Sequence, residues 1–209
     1  IAMPSYKLTY FDATGRGEPI RILFALADVP FEDVRVPFQK WPEVKPTTPL
    51  GTLPVLEVDG VQIGQTNAIL RFLAREFGFA GPSSLSSALA DSMVDQLTDF
   101  FTAVSDWHMT NVGFKQGDKG VLYESTFIPA RDKHFPFFEK ALSKSTTGWI
   151  VNTPDPTHAD ILIGTVLEML TRLSPKPSSL FDGFPLIAAH QKKFTSIPRV
   201  QKHIANRPK

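Results

Sequence analysis

Residues 51–66 read Gly-Thr-Leu-Pro-Val-Leu-Glu-Val-Asp-Gly-Val-Gln-Ile-Gly-Gln-Thr. Val55-Leu56-Glu57-Val58 is a short β-prone run, and the Asp59-Gly60 behind it is the strongest two-residue hairpin signal. Val61-Gln62-Ile63 returns as the partner strand. Pro54 stands at the strand entrance, where its missing N–H removes a ladder donor and leaves the backbone of Leu53 available to something else. Thr66 suits the cap of the helical pattern that follows. A strand edge, a proline and a helix N-terminus this close together can make a peptide-binding edge beside an anion site. They can equally be an ordinary hairpin followed by a capped helix.

Upstream, Tyr6-Lys7-Leu8-Thr9-Tyr10-Phe11 alternates and predicts a strand with Tyr6, Leu8 and Tyr10 on one face. Asp12 to Gly17 is turn-rich. Glu18-Pro19 starts a helix, with proline where its absent N–H costs nothing, and Ile20, Leu23, Phe24 and Ala27 give that helix an apolar face. Val29-Pro30 ends it, and Phe31 to Val36 is a second strand. Pro37 to Pro49 is irregular, with one short helix near Trp41-Pro42-Glu43. Downstream, Thr66 to Phe77 is a helix packing through Ile69, Leu70, Phe72, Leu73 and Phe77. The order β-α-β-(α)-β-β-α is that of an α/β thioredoxin-like layer, a mixed four-stranded sheet with helices on both faces. The proline before the third strand of such a layer is commonly cis, so Leu53-Pro54 is expected to be cis.

Gly78 to Ser87 is small, polar and turn-rich, and reads as a linker. The domains are therefore 1–80 and 81–209. Beyond the linker only helices are predicted. Leu85, Leu89, Met93, Leu97, Phe100, Val104 and Trp107 recur at helical spacing, and Val121 to Leu142 is a second long helix. Thr157-His158-Ala159-Asp160 is a capping box, with Pro156 and Ile161 placed for a hydrophobic staple. The helix it opens is apolar nearly all round from Ile161 to Leu167, which makes it central. Phe181 to Phe194 and Val200 to Ile204 complete an all-α bundle.

The 209 residues are 42% hydrophobic and 21% charged, with a net charge of +1. That balance implies neither nucleic acid nor a membrane surface as partner. No acid follows Asp182, and the basic residues there, among them Arg199 and Arg207, read as a solvated face. Cysteine is absent. That excludes disulfides, thiolate metal sites and a cysteine nucleophile, so any sulfur chemistry must take its sulfur from a ligand. The histidines, His108 and His158 included, are not at metal spacing. No apolar run approaches the roughly 18 residues of a membrane span, and no signal pattern opens the chain, so a cytoplasmic location is expected. Ile1-Ala2 precede Met3-Pro4, and Met3 reads as the natural start.

Tyr10 has two readings. It is a strand tyrosine with its ring in the core, or it is a phenol at the end of a strand, near the next helix, donating to an anion. A free thiol has a pKa of about 8.5 and is only a few per cent thiolate at neutral pH. Lowering that pKa by about two units corresponds to roughly 2.7 kcal/mol, within reach of a charge-assisted bond from Tyr10 helped by Arg16.

Tyr6 to Phe11 with Gly15-Arg16-Gly17-Glu18, then Trp41-Pro42-Glu43, Leu53 to Gly60 and Gln65-Thr66-Asn67-Ala68-Ile69, closely resemble the cytosolic glutathione transferases of the sigma class, the invertebrate members most. The likeness runs over essentially the whole chain, densely in the first domain and more loosely in the second, where Asp95, Asp99 and the capping box carry it. It implies the glutathione transferase fold and a set of roles. Tyr10 is the implied catalytic donor to the glutathione thiolate, with Arg16 supporting the charge. Trp41 and Lys45 hold the glycine end of glutathione. Leu53, before cis-Pro54, pairs with the cysteinyl backbone. Gln65 and Thr66 bind the γ-glutamyl carboxylate. Asp99 reaches across a homodimer interface to the partner's glutathione. An apolar second-substrate site between the domains draws on Phe11, Phe101 and Trp107. Thr52, Leu50 and Thr66 depart from the usual residues at their positions.

The implied function is conjugation of glutathione, as co-substrate and without metal, to small hydrophobic electrophiles in detoxification. Two alternatives accompany it: a carrier of haem or other hydrophobic ligands, and a glutathione-dependent prostaglandin D isomerase.

Overall fold

The computed structural model describes residues 4–208. The expectation about Ile1-Ala2 and Met3 lies outside them. The chain forms two compact units. The first holds β1 (Tyr6–Phe11), α1 (Glu18–Ala27), β2 (Glu32–Val36), α2 (Trp41–Val44), β3 (Val55–Val58), β4 (Val61–Gly64) and α3 (Thr66–Phe77). The second holds α4 (Ser84–Ala103), α5 (Ser105–Asn111), α6 (Lys119–Leu122), α7 (Ile128–Ser143), α8 (His158–Leu173) and α9 (Pro185–Thr195). The last helix, α10 (Pro198–Ala205), returns to the first unit and packs on α1. The second unit runs from Ala80 to Ile197, beside the expected second domain of 81–209.

The sheet order is β2-β1-β3-β4. β1 runs parallel to β2, from Lys7↔Glu32 to Phe11↔Val36. It runs antiparallel to β3, from Tyr6↔Val58 to Thr9↔Val55, and β3 pairs antiparallel with β4. The thioredoxin-like layer and its mixed sheet are as the sequence predicts. Along β1 the buried residues are Tyr6, Leu8 and Tyr10, alternating as a half-buried strand requires. The hairpin turns on Asp59 and Gly60, with φ of 48° and 86°, the left-handed pair that matches strand twist. Asp59 also accepts hydrogen bonds from the amide and hydroxyl of Ser5, at 2.8 and 3.0 Å. α1 buries Ile20, Ile22, Leu23 and Phe24, and the Phe24 ring meets Tyr6, Phe31 and Phe77.

The helical unit departs from the sequence pattern in three places. The run from Leu85 to Trp107 divides at Val104, which leaves helical geometry between α4 and α5. Its burial is carried by Ala90, Val94, Leu97 and Phe100, a row one residue off from Leu85, Leu89 and Met93, so Leu85 and Leu89 are exposed. The predicted helix from Val121 is interrupted by one π turn, Tyr123–Phe127, just before Pro129. Proline lacks a donor and crowds the carbonyl four residues back, and the widened turn absorbs that conflict. α9 begins at Pro185 and not Phe181, because Gly183 turns the chain at φ +84°.

α8 is central as predicted, buried without interruption from His158 to Leu167. Its capping box forms, with Asp160 Oδ2 accepting from the Thr157 amide and hydroxyl at 2.8 and 2.9 Å. The other carboxylate oxygen accepts from the Ile150 amide at 2.7 Å and His190 Nε2 at 2.9 Å. No helix among the described residues is long and apolar enough to cross a membrane.

Candidate active site

β1 delivers Tyr10 to the end of the sheet with its ring on the buried face. Five residues later the chain doubles back through a 3-10 turn, Gly15–Gly17, that closes over the phenol. The Arg16 amide donates to Tyr10 Oη at 2.9 Å. A Cβ on Gly15 would lie 2.5 Å from Tyr10 Oη, and one on Gly17 would lie 2.6 Å from the ring carbons. Both glycines are therefore demanded by the phenol's position, and Gly15 also has φ +42°.

Burial raises the Tyr10 pKa above its ordinary value, opposed by the Arg16 amide and by the positive charges of Arg16 and Arg21. The phenol keeps its proton at neutral pH. With one lone pair committed to the Arg16 amide, that proton is left to donate outward. The exposed Arg16 thus acts on Tyr10 through its backbone as well as its charge.

Leu53, Val36 and Val55 pack with Tyr10 in one buried cluster, and Phe11, Trp41 and Val44 cover it from the partly exposed side. The Phe11 ring lies edge-on to Tyr10 and Trp41, each at 5.5 Å, and stacks on Phe38 at 4.6 Å. The Leu53-Pro54 bond is cis, as expected. The β1–β3 register stops at Thr9↔Val55, so Leu53 stands beyond the sheet pairing. The exposed Lys45 passes Gly51, its Cε 3.7 Å from where a Cβ there would be. Thr52 is exposed, and Leu50 lies exposed over Gly64.

At the start of α3 the expectation needs correction. Thr66 is not the cap: Gln65 occupies that position, at φ 71° and ψ 118°, without a side-chain capping bond. A non-glycine residue at positive φ is strained, and such strain gathers at ligand sites. Thr66 is the first helical residue, and its hydroxyl donates to the Arg16 carbonyl at 3.2 Å.

Structure thus gathers Tyr10, Arg16, Trp41, Leu53, Pro54 and Thr66 around one end of the sheet, with Phe11 beside them. Asp99, Phe101 and Trp107 belong to the helical unit. Asp99 is exposed on α4 and helps draw the His134 pKa upward, although burial, first, and Lys133 hold it below its ordinary value. Phe101 is half-buried against Phe100 and His108. Trp107 offers no accessible surface: it is fully buried, 4.4 Å from Phe127 and 6.2 Å from Tyr123. Its place at helical spacing reflects core packing, not a substrate wall.

Arg21 is the residue that pattern reading missed. It is fully buried behind Tyr10, its guanidinium 5.7 Å from the ring centroid. It donates to both Asp33 oxygens at 3.0 and 3.1 Å and to the Ala13 carbonyl at 2.7 Å, anchoring the loop that carries the Gly15–Gly17 turn. An arginine inside Glu-Pro-Ile-Arg-Ile-Leu-Phe was the available signal, since a charge within an apolar run must find a partner.

Residues 6–75 match the family described as glutathione S-transferase, N-terminal domain, and residues 94–207 the one described as glutathione S-transferase, C-terminal domain. Glutathione S-transferase 1 of Ascaris suum is 41% identical over 207 residues, spanning 99% of this chain and 98% of that protein. Among solved structures, monomeric Na-GST-3 of the hookworm Necator americanus matches with a TM-score of 0.93 at 41% identity, over 98% of each chain. A Nu-class GST from Haemonchus contortus matches with a TM-score of 0.86 at 44% identity, over 99% of this chain and 98% of its own.

Proposed function

Since the chain belongs to the glutathione S-transferase family, we propose that Tyr10 activates the thiol of glutathione for attack on apolar electrophiles, the work of a detoxifying transferase. The family's co-substrate is glutathione, and the protein is a transferase of this kind. One observation carries the finer reading: a protonated phenol, held by the Arg16 amide inside a two-glycine cradle, with its own proton free to donate.

The residues fit a γ-glutamyl-cysteinyl peptide. Tyr10 donates its proton in a hydrogen bond to the sulfur and favours the thiolate, with Arg16 adding positive charge. Leu53 offers backbone groups outside the sheet ladder to the peptide's main chain. The N-terminus of α3, lacking a side-chain cap at Gln65, presents its first amides and the positive end of the helix dipole to a carboxylate. Gln65 and Thr66 complete that end. Trp41 and the exposed Lys45 take the glycine end, the lysine by charge. Phe11, half-buried beside Tyr10, supports an apolar acceptor. Asp99, exposed on α4, is free to serve a two-fold partner; the Necator relative is described as monomeric, and sedimentation would show which state this chain adopts. The sigma-class assignment rests on the sequence motifs, and the Haemonchus relative bears the Nu-class name. Dependence on reduced glutathione and the lack of cysteine accord with a cytoplasmic setting.

Tyr10→Phe removes the donor while keeping the ring. It should lower kcat/KM by about 10- to 100-fold, the worth of a hydrogen bond to a charged group. Affinity for glutathione, carried by the backbone and α3 contacts, should change little. Unchanged conjugation by this variant would overturn the assigned role. Product analysis with a prostaglandin endoperoxide, and haematin titration beside turnover on a standard electrophile, separate conjugation from isomerisation and from ligand carriage.

A further inference from the structure

We propose that the C-terminal end of the chain is a positioning clamp for Tyr10: His203 and Arg207, acting through Glu18, hold the Gly15–Gly17 turn that aims the Arg16 amide at the phenol. The inference rests on the reading of Tyr10 as the thiol's donor. It gives α10, none of whose residues is assigned to glutathione, a share in tuning the thiol.

Glu18 is where the turn becomes α1. Its amide donates to the Thr14 carbonyl at 3.0 Å and closes the turn on the Gly15 carbonyl. Its side chain is buried, and Oε1 accepts from His203 Nε2 at 2.8 Å and from Arg207 Nε at 2.5 Å. Oε2 accepts from Arg21 at 3.4 Å. One residue therefore joins the backbone of the turn to two cations made at the far end of the chain.

The turn has glycine on both sides of Arg16, so its backbone has more freedom than most and needs an external hold. Its fit to Tyr10 leaves little slack, since Cβ atoms at Gly15 and Gly17 would fall 2.5 and 2.6 Å from Tyr10 atoms. A shift of the turn therefore alters the 2.9 Å bond from the Arg16 amide to Tyr10 Oη. A carboxylate withdrawn from water keeps its place only while charged partners meet it. Without a cation from the C-terminal end, Glu18 is drawn toward water and takes the end of the turn with it. Arg21 does not replace that cation, because its shorter bonds go to Asp33 and the Ala13 carbonyl. The clamp uses none of the groups that meet the peptide, so it stands when glutathione is bound.

α10 has a second tie to α1. Arg199 donates to the Leu26 carbonyl at 2.7 Å and to Asp28 at 3.0 Å, at the opposite end of α1 from the turn. That tie supplies a control, since cutting it loosens α10 without touching Glu18.

The test compares His203→Leu and Arg207→Met with Arg199→Met in the full chain. The readouts are the thiol pKa of enzyme-bound glutathione, followed by the ultraviolet absorbance of the thiolate against pH, and the Tm. A weakened Arg16–Tyr10 bond should raise the bound-thiol pKa by about a third of a unit to one unit in both Glu18-contact variants. His203→Gln, which keeps a donor near the Nε2 position, should restore it. Arg199→Met should lower Tm alone. Should Arg207→Met fail to fold, His203→Leu, which leaves the Arg207 bond in place, carries the comparison. A lowered Tm with the thiol pKa of the unaltered protein in the Glu18-contact variants would make the tie purely structural and overturn the proposal. An equal pKa rise in Arg199→Met would overturn it too, since general loosening of α10 would then suffice. Tyr10→Phe runs alongside. If that variant leaves the bound-thiol pKa where it was, the reading of Tyr10 fails and the clamp falls with it; if Tyr10→Phe raises the pKa and the Glu18-contact variants do not, the clamp alone is wrong.

Discussion

Position 17 shows how little room the phenol has. A methyl group there would sit 2.6 Å from the Tyr10 ring, closer than any relaxed carbon contact, and the obstruction is a buried ring with no flexible end to yield. Gly17→Ala should displace either the turn or the phenol. Overpacking of this kind costs about 1–3 kcal/mol. The sharper expectation is functional: a fall in kcat and a raised bound-thiol pKa in protein that still unfolds cooperatively, checked by kinetics and thermal melts on one sample. Gly17 lay in plain view within Gly15-Arg16-Gly17-Glu18, yet its reason did not, because the constraint comes from a side chain seven residues earlier folded back over it. The buried place of Tyr10 on β1 and the cis bond after Leu53 were legible because each sits in a short motif whose backbone geometry is locally determined, whereas the cap position of Gln65 was not. Trp107 misled for the opposite cause. Helical spacing marks a face, and a face can turn to the core as easily as to a ligand.

Among the elements, α8 is tied in place through one side chain at its start. Asp160 is fully buried and accepts four hydrogen bonds, from Thr157 twice, Ile150 and His190. Asp160→Asn keeps the shape but replaces two acceptor oxygens by one, setting an amide against donors. The variant should lose about 3 kcal/mol, given the worth of bonds to a charged acceptor, and urea unfolding would measure it. The capping box itself was readable because it is a four-residue pattern. The Ile150 and His190 contacts were not, since they join segments 10 and 30 residues away. The same division runs through the fold. Strands, hairpin and α3 followed from periodicity and turn chemistry. The break at Val104, the π turn and the late start of α9 answered to packing, proline and one glycine.

At the scale of the whole molecule, α10 is out of sequence order: it completes the first unit after the chain has built the second. Glu18 is the reason. Only 2% exposed, it accepts from His203 Nε2 at 2.8 Å and Arg207 Nε at 2.5 Å, with Arg21 at 3.4 Å. The basic run expected to face solvent therefore supplies partly buried partners for a buried acid. Arg199 remains exposed and ties down the α1 end, through the Leu26 carbonyl and Asp28. Burial pushes the Glu18 pKa upward, but the His203 bond and the charges of Arg207, His203 and Arg21 outweigh it and hold the group at about 2, against 4.5. A lowered folded-state pKa contributes stability in full above the unfolded value and loses it as protons bind. Stability should therefore drop as pH falls from 4.5 towards 2, by about 3 kcal/mol from this group. Glu18→Gln should flatten that slope in unfolding measured across pH.

The same tie sets a schedule during synthesis. Glu18 precedes His203 by 185 residues and Arg207 by 189. At ribosomal speeds of about 5–20 residues per second, the acid is made roughly ten to forty seconds before the cations that neutralise it. Through that interval the nascent sheet layer lacks its closing helix, and the surface α10 will cover on α1 is open to chaperones. Folding of the first unit to its final state thus waits for α10, although its sheet and hairpin are made well before that helix.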